Sequence, residues 1–214
     1  MSRILVVGAS HGIGLETVKT LLADGHQVRA MSRQASKIAI DHPNLEKIDG
    51  DATAPTDITH ALDGVDAVVQ TLGVAMGLDV MLRGTTLFSR ATRILVDAMR
   101  AADIKRLIVV TGLGAGDSRG QFGLVYDGLM FPVFLKRIYD DKDIQEQIVK
   151  SSGLEWTIAR PGVLVGEPVT GRYRALVDPR EWQFKTVARA DVARFLADEV
   201  RDGAFIGQTP LVIQ

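Results

Sequence analysis

Gly8, Gly12 and Gly14 stand at G-x-x-x-G-x-G spacing in the stretch RILVVGASHGIGLETVKTLLADG. A turn without Cβ atoms lets the main chain approach a pyrophosphate, and the free N–H groups and dipole of a following helix N-terminus stabilise its negative charge. Gly8, Ser10, His11, Gly12, Ile13 and Gly14 therefore form a candidate dinucleotide cradle. An ordinary turn between a strand and a helix is the plainer alternative. Ser32 and Arg33 end the next extended segment. At that place in a nucleotide-binding unit an acidic residue accepts from a ribose 2′-hydroxyl, whereas the forked guanidinium donors of arginine suit a 2′-phosphate. The pair thus favours NADP(H) over NAD(H), the alternative being a solvated surface arginine.

Chemistry of this kind needs strands that end where these loops begin. Residues 3–7 are an apolar run without helical period, as in a strand buried on both faces. Leu15, Val18, Leu21 and Leu22 form the stripe of a helix that Gly25 ends. Further strands are expected at 27–31, 45–48, 65–72, 106–111 and 155–159, with a last one near Leu211. Thr85 can cap a helix carrying Phe88, Ala91, Leu95, Ala98, Met99 and Ala102 inward and Arg90, Arg93, Asp97 and Arg100 outward. A later helix carries Ile138, Ile144, Ile148 and Val149 up to Gly153, and another covers about 190–200. The loop with Met76, Leu78, Val80, Met81 and Leu82 either covers a pocket or packs beneath itself. The apolar segment 122–134, broken by Asp127 and Pro132, is too short to span a bilayer and reads as a lid or a core-packed connector.

The chain of 214 residues suits one domain, 1–214, with a formal net charge of −1 that leaves no basic footprint for nucleic acid or a membrane surface. It has no cysteine, so disulfides and thiolate chemistry are excluded, and His11, His26, His42 and His60 have no metal-ligand spacing. The chain opens on a core strand rather than a signal peptide, which leads to the expectation of a cytoplasmic protein acting on a small-molecule substrate. So charged an outer face on the 85–102 helix predicts a monomer or weak homodimer.

GASHGIG, GDAT at 50–53, IKRLIVVTGLGAG, DKDIQEQIVKSSGLEWTIARPGVLVGE and ARADVARFL together resemble the atypical short-chain dehydrogenase/reductases of the NAD(P)H-binding family, which includes flavin and biliverdin-IXβ reductase-like and NmrA-like proteins. The resemblance covers essentially the whole chain. It implies an α/β fold, a Rossmann-like doubly wound parallel sheet of about seven strands with helices on both faces. It also implies that Asp51 and Ala52 bracket the adenine ring, although Asp51 reads equally as the cap of the following turn. Thr71, Leu72 and Gly73 would then line the cofactor near its inner ribose, and Lys142 would hydrogen-bond the nicotinamide ribose unless it is a solvated helix lysine. The backbone at Pro161, Gly162 and Val163 would meet the carboxamide, with Arg160 structural.

The departures bear on catalysis. Relatives of this type use a Tyr-x-x-x-Lys pair, assisted by a serine after the fifth strand. Here Ile138 stands four residues before Lys142, Tyr139 is displaced by one helical step of about 100°, Tyr126 is followed four residues on by Met130, and the serine position falls on Thr111 or Gly112. Thr111, Tyr139 and Lys142 remain as candidate catalytic residues. The expected activity is hydride transfer from NADPH to a planar conjugated acceptor such as a flavin, quinone or tetrapyrrole, which can take its proton from solvent. A catalytically silent NADP(H)-binding regulator with a protein partner is the second reading. Sugar epimerase or dehydratase activity is the weakest, since it needs the tyrosine base and usually a larger C-terminal region.

Overall fold

Arg3–Val7 forms β1, and its side chains alternate between two cores: Ile4 and Val6 enter one, Leu5 and Val7 the other. A strand buried on both faces needs helices on both sides of its sheet. The computed structural model describes residues 2–74, 84–121, 136–166 and 169–214. Met76, Leu78, Val80, Met81 and Leu82, and the segment 122–134 with Tyr126 and Met130, lie outside the described residues.

After β1 come α1 (Gly12–Ala23), β2 (Gln27–Ser32), β3 (Leu45–Asp49), α2 (Pro55–Ala61), β4 (Ala67–Gln70), α3 (Leu87–Ala101), β5 (Arg106–Val110), α4 (Lys136–Lys150), β6 (Glu155–Pro161), β7 (Val163–Val165), β8 (Arg174–Leu176), β9 (Thr186–Ala188), α5 (Arg189–Asp202) and β10 (Leu211–Ile213). The main sheet runs β3-β2-β1-β4-β5-β6-β10-β8. Its neighbours are parallel except β10 and β8, which are antiparallel. Helices α1 and α5 supply Val18, Leu21, Leu22, Val192, Phe195 and Leu196 to one core, while α2, α3 and α4 supply Ile58, Leu95, Met99 and Val149 to the other. The chain is thus a Rossmann-like α/β fold wound on both faces. Strand order reverses between β1 and β4, and such a reversal opens a crevice at the carboxyl ends of the strands where ligands of this architecture sit.

The expectation of about seven strands undercounts. β8 extends the sheet to eight, and β7 pairs with β9 in a separate parallel ribbon. These three strands have three residues each, too few to display a period. Gly25, at φ +82°, ends α1 as expected. The α3 N-terminus is held differently: Thr85 Oγ1 accepts from the Leu87 N–H at 3.1 Å, but the Phe88 and Ser89 N–H groups donate to Asp141 Oδ2 of α4 at 2.8 and 3.3 Å. A cap from another helix fixes how α3 and α4 pack as well as satisfying end groups. Ile144, expected within the α4 stripe, is exposed. The place under the sheet is filled instead by Gln145, whose Nε2 donates to Gln70 Oε1 and Thr92 Oγ1, both at 3.1 Å.

Candidate cofactor site and the residues around it

The three loop glycines serve different ends. A Cβ on Gly14 would lie 2.2 Å from the Gly8 carbonyl oxygen, and one on Gly8 would lie 2.9 Å from that of Thr71. Both glycines let α1, β1 and the β4 end touch. The Thr71 hydroxyl donates to the Val7 carbonyl at 3.1 Å, so it braces this seam. A Cβ on Gly12 would meet nothing within 4 Å, although φ is +57°. The first turn of α1 begins at that open point, with no side-chain cap at His11 and no acidic residue. Its N–H groups and positive end are therefore available to an anion. Ser10 Oγ and His11 Nδ1 are hydrogen-bonded to each other at 2.8 Å beside it. Ile13 and Leu72 pack against the two cores, and Gly73 is exposed with free space where a Cβ would be.

A second cluster gathers at the ends of β2 and β3. Asp51 Oδ1 accepts from the Thr53 N–H at 2.8 Å and its hydroxyl at 2.9 Å, so the turn-capping alternative is realised. These two donors hold its carboxyl below the usual range, and the more distant charges of Arg33 and Arg90 add to the effect. Arg33 is exposed, Ser32 half-buried and Ala52 buried. Arg90 comes from α3, and nothing in the sequence pattern joins it to this corner.

The third cluster lies beyond β5 and β6. Lys142 is buried, with Nζ donating to the Thr111 carbonyl at 3.0 Å and lying 4.1 Å from the centre of the Phe88 ring. The reading of a solvated lysine is therefore wrong for this helix face. Burial pushes its ammonium down to about 8, against the opposing charges of Glu146 and Asp141. The Thr111 hydroxyl, placed by sequence at a catalytic position, donates instead to Glu146 Oε1 at 2.9 Å. What Thr111 offers Lys142 is its carbonyl. Ile138 is buried, and Tyr139 turns toward the strand mouth: a Cβ on Gly112 would lie 2.6 Å from its hydroxyl oxygen. The ring packs against a small cluster of Leu113, Trp182, Leu211 and Ile213.

Arg160, inside β6, is structural, as expected. Completely buried, it donates to Glu146 Oε1 from Nε at 2.9 Å and to Oε2 from Nη2 at 2.6 Å, pairs with Asp117 at 2.6 Å, and lies 5.7 Å from the Trp182 ring centre. Next to it the N–H groups of Gly162 and Val163 donate to the carbonyls of Val212 and Lys185 at 2.9 and 3.0 Å, while the Pro161 carbonyl accepts from Leu113 N–H at 2.9 Å. Those donors are engaged within the fold, so a carboxamide would have to meet other atoms of this turn. The exposed Val163 side chain lies at its edge.

The family description NAD(P)H-binding matches residues 8–203, a span that takes in all three clusters. The chain belongs to the NAD(P)H-binding family. This NAD(P)H-binding chain is 32% identical over 198 residues, covering 90% of itself and 85% of the relative, to a Bacillus subtilis (strain 168) protein described as an uncharacterized sugar epimerase, YhfK. It is similar to ChuY, an anaerobillin reductase from Escherichia coli O157:H7, at TM-score 0.81 and 25% identity, covering 99% of this chain and 97% of that one. A short-chain dehydrogenase/reductase from Veillonella parvula DSM 2008, solved in complex with NADP, shares the fold at TM-score 0.81 and 19% identity, covering 100% and 94% of the two chains. An NAD(P)H azoreductase from Xenophilus azovorans is 28% identical over 160 residues, 74% of this chain and 47% of that protein. The chain is thus an NAD(P)H-binding protein of an oxidoreductase family. Among the described residues no helix is long and apolar enough to cross a membrane, and no group of three or more acidic or histidine side chains is placed to hold a metal.

Proposed function

We propose that this protein is an NADPH-dependent reductase of a planar conjugated acceptor of the flavin, quinone or tetrapyrrole class. The observation that carries the reading is the pairing of the open, uncapped α1 N-terminus at Gly12 with a buried Lys142 beyond the next strands of the same sheet edge. The residues fit a dinucleotide. Gly8, Ser10, His11, Gly12, Ile13 and Gly14 cradle the pyrophosphate, Ser32 and Arg33 receive the 2′-phosphate, and Asp51 and Ala52 border the adenine. Thr71, Leu72 and Gly73 line the inner ribose, Lys142 donates to the nicotinamide ribose, and Pro161, Gly162 and Val163 bound the carboxamide. When bound, the reduced nicotinamide supplies a hydride. The chain's part is to orient the two reactants and keep a dry, apolar face beside them, with Leu113, Tyr139 and Trp182 as its wall. The acceptor gains that hydride and one proton from solvent, since a conjugated system spreads the charge that a Tyr-x-x-x-Lys pair would otherwise neutralise.

The test is single-turnover NADPH oxidation with flavins, quinones, linear tetrapyrroles and simple carbonyls in parallel. Reduction of a conjugated acceptor but not of simple carbonyls is expected. Tyr139→Phe should keep most of the rate, whereas a fall of about 10²- to 10⁴-fold at unchanged NADPH affinity would make Tyr139 the proton donor and overturn the acid-free mechanism. The second reading, a silent NADP(H)-responsive regulator with a protein partner, draws on the engagement of the Thr111 hydroxyl by Glu146. Tight NADPH binding without turnover of any acceptor would decide for it.

A further inference from the structure

We propose that Glu146 is a positioning residue of the cofactor site, setting the place and charge of Lys142 through Thr111. The inference rests on the reading that Lys142 donates to the nicotinamide ribose.

Glu146 is 1% exposed, accepts from Arg160 at 2.9 and 2.6 Å and from the Thr111 hydroxyl at 2.9 Å, and forms an ion pair with Lys150 at 3.3 Å. A buried ion pair contributes little to stability, because desolvation of both groups offsets their attraction. Its geometric effect here is specific. Thr111 follows β5 and is held on three sides: its N–H donates to the Ala159 carbonyl at 2.9 Å, its hydroxyl to Glu146, and its carbonyl accepts from Lys142 at 3.0 Å. Glu146 and Lys142 are four apart on α4 and so share a face. The carboxylate therefore acts on Lys142 twice. It fixes the carbonyl that holds the ammonium, and its charge favours keeping the proton there.

Among the described residues the groups facing Lys142 are few. Its own helix presents Asp141 and Glu146, the first of these already receiving the α3 N–H groups. From the turn after β5 comes the Thr111 carbonyl and from α3 the Phe88 ring. Arg160 and Lys150 pair with Glu146 rather than with Lys142.

Calorimetric titration with NADPH from pH 6 to 10, alongside adenosine 2′,5′-bisphosphate as a probe of the adenosine half alone, tests the proposal. Glu146→Gln keeps an acceptor for Thr111 but removes the charge, so the pH at which NADPH affinity falls should move downward. Thr111→Val leaves Glu146 with Arg160 but cuts the link, and should weaken NADPH and NADH alike by about 3- to 10-fold, the worth of one hydrogen bond. In both variants the bisphosphate should bind as in the wild type, a result that general loosening of the fold would not give. If Glu146→Gln does not fold, Thr111→Val alone decides. Wild-type NADPH affinity and pH response in the variants, or equal losses for NADPH and the bisphosphate, would overturn the positioning role. Absence of NADPH binding in the wild type would overturn the cofactor reading, and this proposal with it.

Discussion

Alanine at Gly12 and alanine at Gly25 impose the same backbone cost at opposite ends of α1, and only the first should harm cofactor binding. Gly12 has φ +57° and Gly25 φ +82°, and at each a Cβ would meet nothing within 4 Å. Neither substitution creates a clash, so the cost at both is that of a left-handed L-residue, about 1–2 kcal/mol. For a chain of this length each kcal/mol lowers Tm by about 2–4 °C, which predicts a fall of roughly 2–8 °C in either variant. The difference lies in what the free space at Gly12 is for. If a pyrophosphate approaches there, the methyl group displaces it from the α1 N–H donors, and the loss of one charge-assisted hydrogen bond, about 1.5–3 kcal/mol, raises the NADPH Kd roughly 10- to 100-fold. Gly12→Val, with a branched side chain, should abolish binding while circular dichroism stays near wild type. The assay is calorimetric NADPH binding at a temperature where both variants are folded. Equal NADPH affinity in Gly12→Ala and Gly25→Ala would refute the cradle, whatever the stability data show.

Arg33→Ala should weaken NADPH about 10- to 100-fold and leave NADH almost unchanged, and equal losses by calorimetry would remove Arg33 as the selector of the 2′-phosphate. Lys142 titrates near 8 in the fold against 10.5 ordinarily, so between those values the unfolded chain binds more protons and stability rises with pH, by about 3 kcal/mol in all. Lys142→Met should flatten that rise in urea melts from pH 7 to 11, and an identical slope in the variant would count against burial of the ammonium. Asp141→Ala removes the acceptor for two α3 N–H groups and should cost about 1–2 kcal/mol of stability, or roughly 2–8 °C in Tm. An unchanged melting curve would mean that α3 finds another cap.

The glycine loop was legible because its signal is local. The strand, the turn and the first helix are adjacent in the chain, their periods differ, and the groups left open at the turn are backbone atoms that need only the absence of Cβ. The same locality made the positions of the long strands readable from apolar runs, whereas their order in the sheet and the reversal after β1 are seen only in the fold. What the sequence alone did not contain is which distant side chains meet. Asp141 caps a helix that begins more than fifty residues earlier, and Glu146 joins Arg160 to Thr111 across three elements. Each of these contacts depends on the rotation and height of a helix against the sheet. A stripe of apolar residues fixes the buried face to within about one residue, but it does not specify the partner across the interface. The direction of Tyr139 shows the consequence. Counting residues from Lys142 places it one helical step from the expected position, whereas packing of α4 against β5 and β6 brings its hydroxyl to Gly112. Sequence thus determined the glycine turn between β1 and α1, whose character belongs to the backbone, and tertiary packing decided the polar network around Lys142, whose chemistry belongs to side chains drawn together from separate elements.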